Sequence, residues 1–205
     1  MKKILLFCLP VFLLTGCAQP GKVPLEEGGE KKVTSSGKKV LMVVAPVNFR
    51  DEEFLRPKEI FEKNGIQVTV ASKGVIEASG LLGAKTKVDL DILKIDPTVY
   101  DALIFVGGPG ASVYFNDQAV LSLVKRADEQ GKVVGAICIS PSILANAGIL
   151  SGKRVTSWPT ERGNLESKGA VYIGERVVVD GRIVTAKGPE EAIEYGEKIV
   201  ELLER

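Results

Sequence analysis

This 205-residue chain contains no histidine, one tryptophan and only three cysteines. The missing histidine removes imidazole as a base, so neither a Ser–His nor a Cys–His pair can operate here. Aromatic residues make up 6% of the chain and no basic stripe runs along it, which argues against a nucleic-acid partner. Neither sign of charge dominates, with 27 basic residues against 26 acidic ones. What is present is an apolar leader, a polar tether, and a long stretch in which strand and helix patterns alternate.

The leader reads as an export signal. Lys2 and Lys3 form a basic start, and Ile4 to Leu14 is an apolar run too short for a comfortable membrane span. It ends in Leu14-Thr15-Gly16-Cys17, which resembles a bacterial lipobox whose cysteine is acylated and becomes the first residue after cleavage. Residues 1–16 are thus expected to be a lipoprotein signal peptide. Acyl chains on Cys17 would hold the protein to a membrane outside the cytoplasm, at about 0.8 kcal/mol per buried methylene. Residues 17–38 would be the lipidated cysteine and a flexible tether, since Gly, Pro, Ser, Lys and Glu there bury too little apolar surface to fold. Loss of Lys2 and Lys3 leaves 25 basic against 26 acidic residues, a mature net charge of about −1. Cys8 leaves with the signal and Cys17 carries lipid, so Cys138 stays as an unpaired thiol.

Residues 39–205 suit one α/β domain. Val40 to Ala45 and Ala102 to Val106 are continuous apolar runs, as expected of strands buried on both faces. Val133 to Ile137 is another, and Ile66 to Val70 a fourth. Between them, Lys58 to Lys63 reads as an amphipathic helix with Pro57 in its first turn, stopped at Asn64-Gly65. Asp117 to Gln130 carries Val120, Leu123, Val124 and Ala127 at helical spacing. A short β excursion is expected over Gly74 to Lys87, a short strand near Arg154 to Thr156, and a polar helix over Glu161 to Ser167. Val177 to Ala186 reads as a hairpin turning at Asp180-Gly181, and Pro189 to Leu203 as the last helix. The alternation predicts a flavodoxin-like doubly wound, mostly parallel sheet with helices on both faces, plus a small β-hairpin.

Ligands of such sheets bind beyond the C-terminal strand ends, where three pieces converge. Cys138 ends a strand and precedes a helix, a turn whose dipole is expected to favour thiolate over thiol. The N–H of Ile139 is placed to stabilise an oxyanion there. Gly107-Gly108 lacks side chains, so its backbone can approach a ligand, with Gly108 as a second oxyanion donor. The acidic run Asp51-Glu52-Glu53 follows the first strand, and Arg50 and Asp51 also suit a surface ion pair.

These landmarks resemble the ThiJ/PfpI family, the DJ-one superfamily related to class I glutamine amidotransferases. The carriers are Asn48-Phe49-Arg50-Asp51-Glu52-Glu53, Tyr100 to Gly110, Ala136-Ile137-Cys138, Gly152 to Pro159, and Gly188-Pro189. The resemblance implies that a glutamate after the first strand hydrogen-bonds the elbow cysteine: Glu53, or Glu52 if the register slips by one. A protonated Glu53, its pKa raised by burial, would donate to sulfur and lower the thiol pKa. Two departures stand out. Ile139 occupies the place of the histidine that follows the cysteine in protease-like members. Trp158 occupies that of the histidine in the Thr-x-His-Pro segment of human-type members, and is expected to line the pocket.

The resemblance implies an enzyme acting on reactive carbonyls, such as methylglyoxal and its adducts, by glyoxalase- or deglycase-like chemistry with Cys138 and Glu53 as its catalytic pair. An envelope-anchored cysteine redox sensor in stress response stands as the alternative, and a binding module ranks below it. Cysteine peptidase chemistry also ranks low, because it needs a base for the leaving amine. No metal and no cofactor is assigned, the expected partner is a small carbonyl substrate or adduct, and family resemblance suggests a homo-oligomer.

Overall fold

The computed structural model describes residues 36–205, so the signal, Cys17 and most of the tether lie outside the described residues. The chain enters through β1 (Lys39–Val43), β2 (Val47–Phe49), α1 (Asp51–Lys63) and β3 (Gln67–Ser72). Next come β4 (Glu77–Gly80), β5 (Lys85–Lys87), β6 (Leu90–Asp91), β7 (Ala102–Phe105), α2 (Gln118–Glu129), β8 (Val133–Ile137) and α3 (Pro141–Asn146). It closes with β9 (Arg154–Val155), α4 (Arg162–Ser167), β10 (Val171–Tyr172), β11 (Val177–Asp180), β12 (Ile183–Ala186) and α5 (Ala192–Leu203).

Seven strands form the central sheet in the order β11-β12-β8-β7-β1-β3-β6. All pairs are parallel except the β11–β12 hairpin. Every residue of β7 and β8 is buried, so both faces of the sheet are covered there, as the unbroken apolar runs require. α1 and α5 pack against each other, and α2 packs on β7 and β8. The Asp117 side chain caps α2 by accepting from the N–H groups of Ala119 and Val120, which suits the open amides of its first turn. The expected excursion over Gly74 to Lys87 is the β4–β5 hairpin, which extends β2 into a separate three-stranded sheet. The expected strand near Arg154 is β9, which pairs with β10, a strand too short to show in the sequence pattern.

Two local expectations change. α1 starts at Asp51, so Pro57 lies inside the helix rather than in its first turn. The acidic run forms that first turn and carries the helix back to the end of β2. Pro57 is buried where α1 meets α5 over Gly196: a Cβ on Gly196 would come within 3.1 Å of the Pro57 Cα. Lacking an N–H, Pro57 leaves the carbonyl of Glu53 without its helical donor. In the hairpin, Asp180 pairs with Ile183, so the turn residues are Gly181 and Arg182, one position later than Asp180-Gly181. Gly181 takes the positive φ.

The site's position follows from the strand order. From β1 the chain moves outward to β3; from β7, on the other side of β1, it moves to β8. Such a reversal opens a crevice at the C-terminal strand ends. The loops after β1 and β7 meet in it, and the end of β8 lies alongside. Phe49 and Phe54, edge to face with centroids 5.4 Å apart, tie β2 to α1 beside this crevice.

Candidate active site

Cys138 sits at the end of β8 with φ +63°, one of two non-glycine residues in the left-handed region among the described residues. A cysteine there costs about 1–3 kcal/mol of backbone strain and must be held by its surroundings. Its N–H donates to the Ala186 carbonyl at 3.0 Å, and its carbonyl accepts from the Trp158 N–H at 2.8 Å. The Ser140 hydroxyl fastens the turn to the Val106 carbonyl at 2.8 Å. These bonds join the ends of β7, β8 and β12 and aim the thiol into the cleft. α3 spans only Pro141–Asn146, so a long helix dipole does not bear on the sulfur. The donors facing it are the individual N–H groups of Gly108 and Ile139.

Glu53 lies beneath the thiol and is fully buried in the first turn of α1. Neither carboxyl oxygen makes a well-formed hydrogen bond within the protein, and the nearest polar groups are the Cys138 thiol and the Gly107 N–H. Burial raises its pKa to about 8, outweighing the opposing pull of the thiol, Arg50 and the Gly107 N–H. Glu53 therefore keeps its proton at neutral pH, as expected from its burial. The register is also resolved, since Glu52 turns away to pair with Arg50, with Nε–Oε2 at 2.9 Å.

The expected acidity of the thiol is not found. Burial, reinforced by the charge of Glu53, pushes Cys138 up to about 12 against the pull of the Gly108 and Ile139 N–H groups. The pair loses one proton near pH 8 and resists losing a second, because two negative charges would share one desolvated site. The resting cysteine is a thiol beside a carboxyl group poised to become a base.

Gly107 and Gly108 matter for different reasons. A Cβ on Gly107 would lie 2.4 Å from Oε2 of Glu53 and 2.5 Å from Cβ of Cys138, so its bare backbone lets the two side chains meet. Gly108 has φ +91°, and a Cβ there would come within 2.4 Å of the Arg50 nitrogen. That close approach keeps the loop on the β2–α1 connection, where the Arg50 N–H donates to the Gly107 carbonyl at 3.0 Å.

The thiol opens into a cleft of about 580 Å³. Arg50, Leu81 and Pro109 line it together with Ile139, Trp158 and Glu161. Trp158 is 42% exposed and lines the cleft as expected. Sequence reasoning missed two residues. Asp51 forms no ion pair with Arg50; it is buried, and its oxygens accept from the N–H groups of Leu82 (2.9 Å) and Ala84 (2.7 Å). This clasp holds the β4–β5 turn over the crevice and puts Leu81 on the wall. Glu161 accepts from Ser142 at 2.6 Å and Thr160 at 2.9 Å. The Asp51 clasp has no local signature, because its partners are more than thirty residues away, and Ser142 is likewise remote in sequence from Glu161. Among the described residues no group of three or more Cys, Asp or Glu side chains converges as a metal site would require.

Comparison with known proteins agrees with this geometry. The chain is 40% identical over 200 residues to an uncharacterized protein of Methanocaldococcus jannaschii, covering 96% of this chain and 97% of that one. A deglycase of Thermococcus kodakarensis is 34% identical over 163 residues, 80% of this chain and 98% of its own. A glutathione-independent glyoxalase of Caenorhabditis elegans is 30% identical over 167 residues, 82% of this chain and 89% of its own. Among solved structures, a ThiJ/PfpI domain protein from Brachyspira murdochii superposes with a TM-score of 0.80 at 33% identity, covering 83% of this chain and 98% of that one. The DJ-1/PfpI family model matches residues 38–202, and with the elbow cysteine, the buried glutamate and the doubly wound sheet in place, the chain belongs to the DJ-1/PfpI family.

Proposed function

We propose that this protein is a cysteine-dependent enzyme that converts reactive carbonyls, methylglyoxal and its adducts on amines or thiols among them, to hydroxy acids. The observation that carries this reading is the Glu53–Cys138 pair meeting across Gly107, with a buried carboxyl whose pKa of about 8 suits a general base near neutral pH. The relatives described as a deglycase and a glyoxalase support the same class of chemistry.

The steps use this chain's own groups. The sulfur attacks the aldehyde carbon as ionised Glu53 takes the thiol proton, and the resulting oxyanion faces the Gly108 and Ile139 N–H groups. Glu53 returns the proton to that oxygen, giving a hemithioacetal. Glu53 then moves the proton on the former aldehyde carbon to the neighbouring carbon, and the hydroxyl proton of the first carbon to the oxygen of the second. The first carbon is oxidised and the second reduced, with no outside oxidant, leaving a thioester of the hydroxy acid. Water cleaves the thioester, releasing the acid and restoring the thiol. With no histidine in the chain, Glu53 carries every proton transfer assigned here.

Purified protein should release one lactate per methylglyoxal consumed, and protein first alkylated at Cys138 should release none. Absence of lactate, together with clean oxidation of Cys138 by dilute peroxide, would replace the enzyme by the redox-sensor reading.

We also propose, on the strength of the Lys2-to-Cys17 segment, that lipid on Cys17 anchors the protein in the cell envelope. The described residues contain no helix long and apolar enough to cross a membrane. Cells fed an alkynyl fatty acid should label the wild type and not Cys17→Ser; equal labelling of both removes this proposal. A homo-oligomer remains part of the proposal, to be decided by light scattering.

A further inference from the structure

The wall of the cleft beyond the sulfur is built around Trp158 and Glu161. The Trp158 N–H donates to the Cys138 carbonyl at 2.8 Å, and the Glu161 N–H donates to the Trp158 carbonyl at 3.0 Å. Two consecutive backbone bonds thus fix this wall relative to the nucleophile. Gly188 packs close to the indole: a Cβ there would lie 3.2 Å from Cζ3 and 3.3 Å from Cε3. Among the described residues, the single cation stacked on an aromatic ring is Arg162 on Tyr172, so Trp158 has no such partner.

Glu161 is held by the Ser142 and Thr160 hydroxyls, one on each carboxylate oxygen. Each oxygen keeps a further lone-pair direction, and none of the ion pairs among the described residues includes Glu161. The other charges in the cleft are offset or neutral. Arg50 is paired with Glu52, and exposed Glu190 shares a smaller pocket with Arg50 and Arg56. Glu53 stays protonated at neutral pH. A fixed carboxylate and a part-exposed indole lining one cleft are the elements that bind organic cations. The orphaned, fully buried carboxyl of Glu53 lines the same cleft and marks where the reacting end of the ligand lies.

We propose that Trp158 and Glu161 form a subsite for a positively charged group, an ammonium or guanidinium on the amine-bearing part of a carbonyl adduct whose reacting carbon sits at Cys138. The identity of that ligand rests on the carbonyl-adduct reading of the cleft; the charge selection itself does not. At roughly 6 Å in a water-facing cleft, one carboxylate favours a cation by about threefold over a neutral group. An exposed ring adds a factor of roughly two to five.

The test measures labelling of Cys138 in the full chain, read on its own peptide by mass spectrometry. Three methanethiosulfonates are compared, bearing a trimethylammonium, a methyl or a sulfonate group. Rates are divided by those for 2-mercaptoethanol and taken at about 10 mM ionic strength, where charge is weakly screened. The cationic reagent should outpace the neutral one by about tenfold, and the sulfonate should be slowest. Glu161→Gln should lower the cation preference about threefold. Trp158→Leu should lower it by roughly two- to fivefold, with Trp158→Phe falling between Leu and wild type. A wild-type ratio near one, or a ratio that Glu161→Gln leaves unchanged, would overturn the subsite. Lactate release from uncharged methylglyoxal, measured in parallel, reports on the catalytic reading separately. Preserved charge ranking without lactate keeps the subsite and removes the catalysis, whereas lactate without ranking does the reverse.

Discussion

Glutamine at position 53 lowers methylglyoxal turnover by about a hundredfold or more and at the same time makes the folded protein more stable. Both effects come from one desolvated carboxyl. As a base, Glu53 must be ionised, and with a pKa of about 8 roughly one molecule in ten is ionised at pH 7. Wild-type kcat/KM should therefore climb with pH through a midpoint near 8, while the Glu53→Gln profile stays low and flat. The stability effect has the opposite sense. Below about pH 4.5 both the folded and unfolded chains keep this proton, and Glu53 imposes no penalty for ionisation. As pH rises towards 8, the unfolded chain ionises while the folded one does not, and folding loses about 1.4 kcal/mol for each unit between the two pKa values. Glutamine never ionises, so its advantage should grow from near zero at pH 4.5 to about 3 kcal/mol at pH 7. Rate profiles from pH 6 to 9 and paired urea unfolding curves at pH 5 and 7 measure the two arms. A wild-type profile flat through pH 8, or a variant no more stable at pH 7 than at pH 5, contradicts the assignment.

Alanine at position 107 should abolish most turnover by driving the catalytic pair apart. Gly107 carries no positive φ, so the backbone itself would accept alanine; the obstacle is space. The added methyl would sit 2.4 Å from Oε2 of Glu53, 2.5 Å from Cβ of Cys138 and 2.7 Å from the Ile137 carbonyl. All three distances are too short for a real carbon. The Ile137 carbonyl belongs to β8 and cannot swing away, so the side chains must give. A displacement of about 1 Å between reacting groups costs about a hundredfold in rate, and overpacking costs about 1–3 kcal/mol in stability. Lactate assays with a melting curve separate the two losses. Alanine protein that folds and turns over at the wild-type rate would show that Glu53 and Cys138 need not touch.

The general architecture could be read from the chain because it depends on local and repeating properties. Val40 to Ala45, Ala102 to Val106 and Val133 to Ile137 are apolar on both faces, a pattern that suits a buried parallel strand. The elbow at Cys138, the two glycines at the end of β7 and the absence of imidazole were legible for the same reason. The fate of Asp51, Glu52 and Glu53 was not. Three adjacent acids look equivalent as letters, but successive residues at a helix start point about 100° apart. Asp51 meets the amides of Leu82 and Ala84, Glu52 meets Arg50, and Glu53 goes beneath the thiol. The proton balance of the site was equally hidden, and the expectation of an acidic thiol had the wrong sign. Desolvation is set by how many atoms from distant parts of the chain close around a group. Only the folded arrangement of β1, β7, β8 and α1 decides that here.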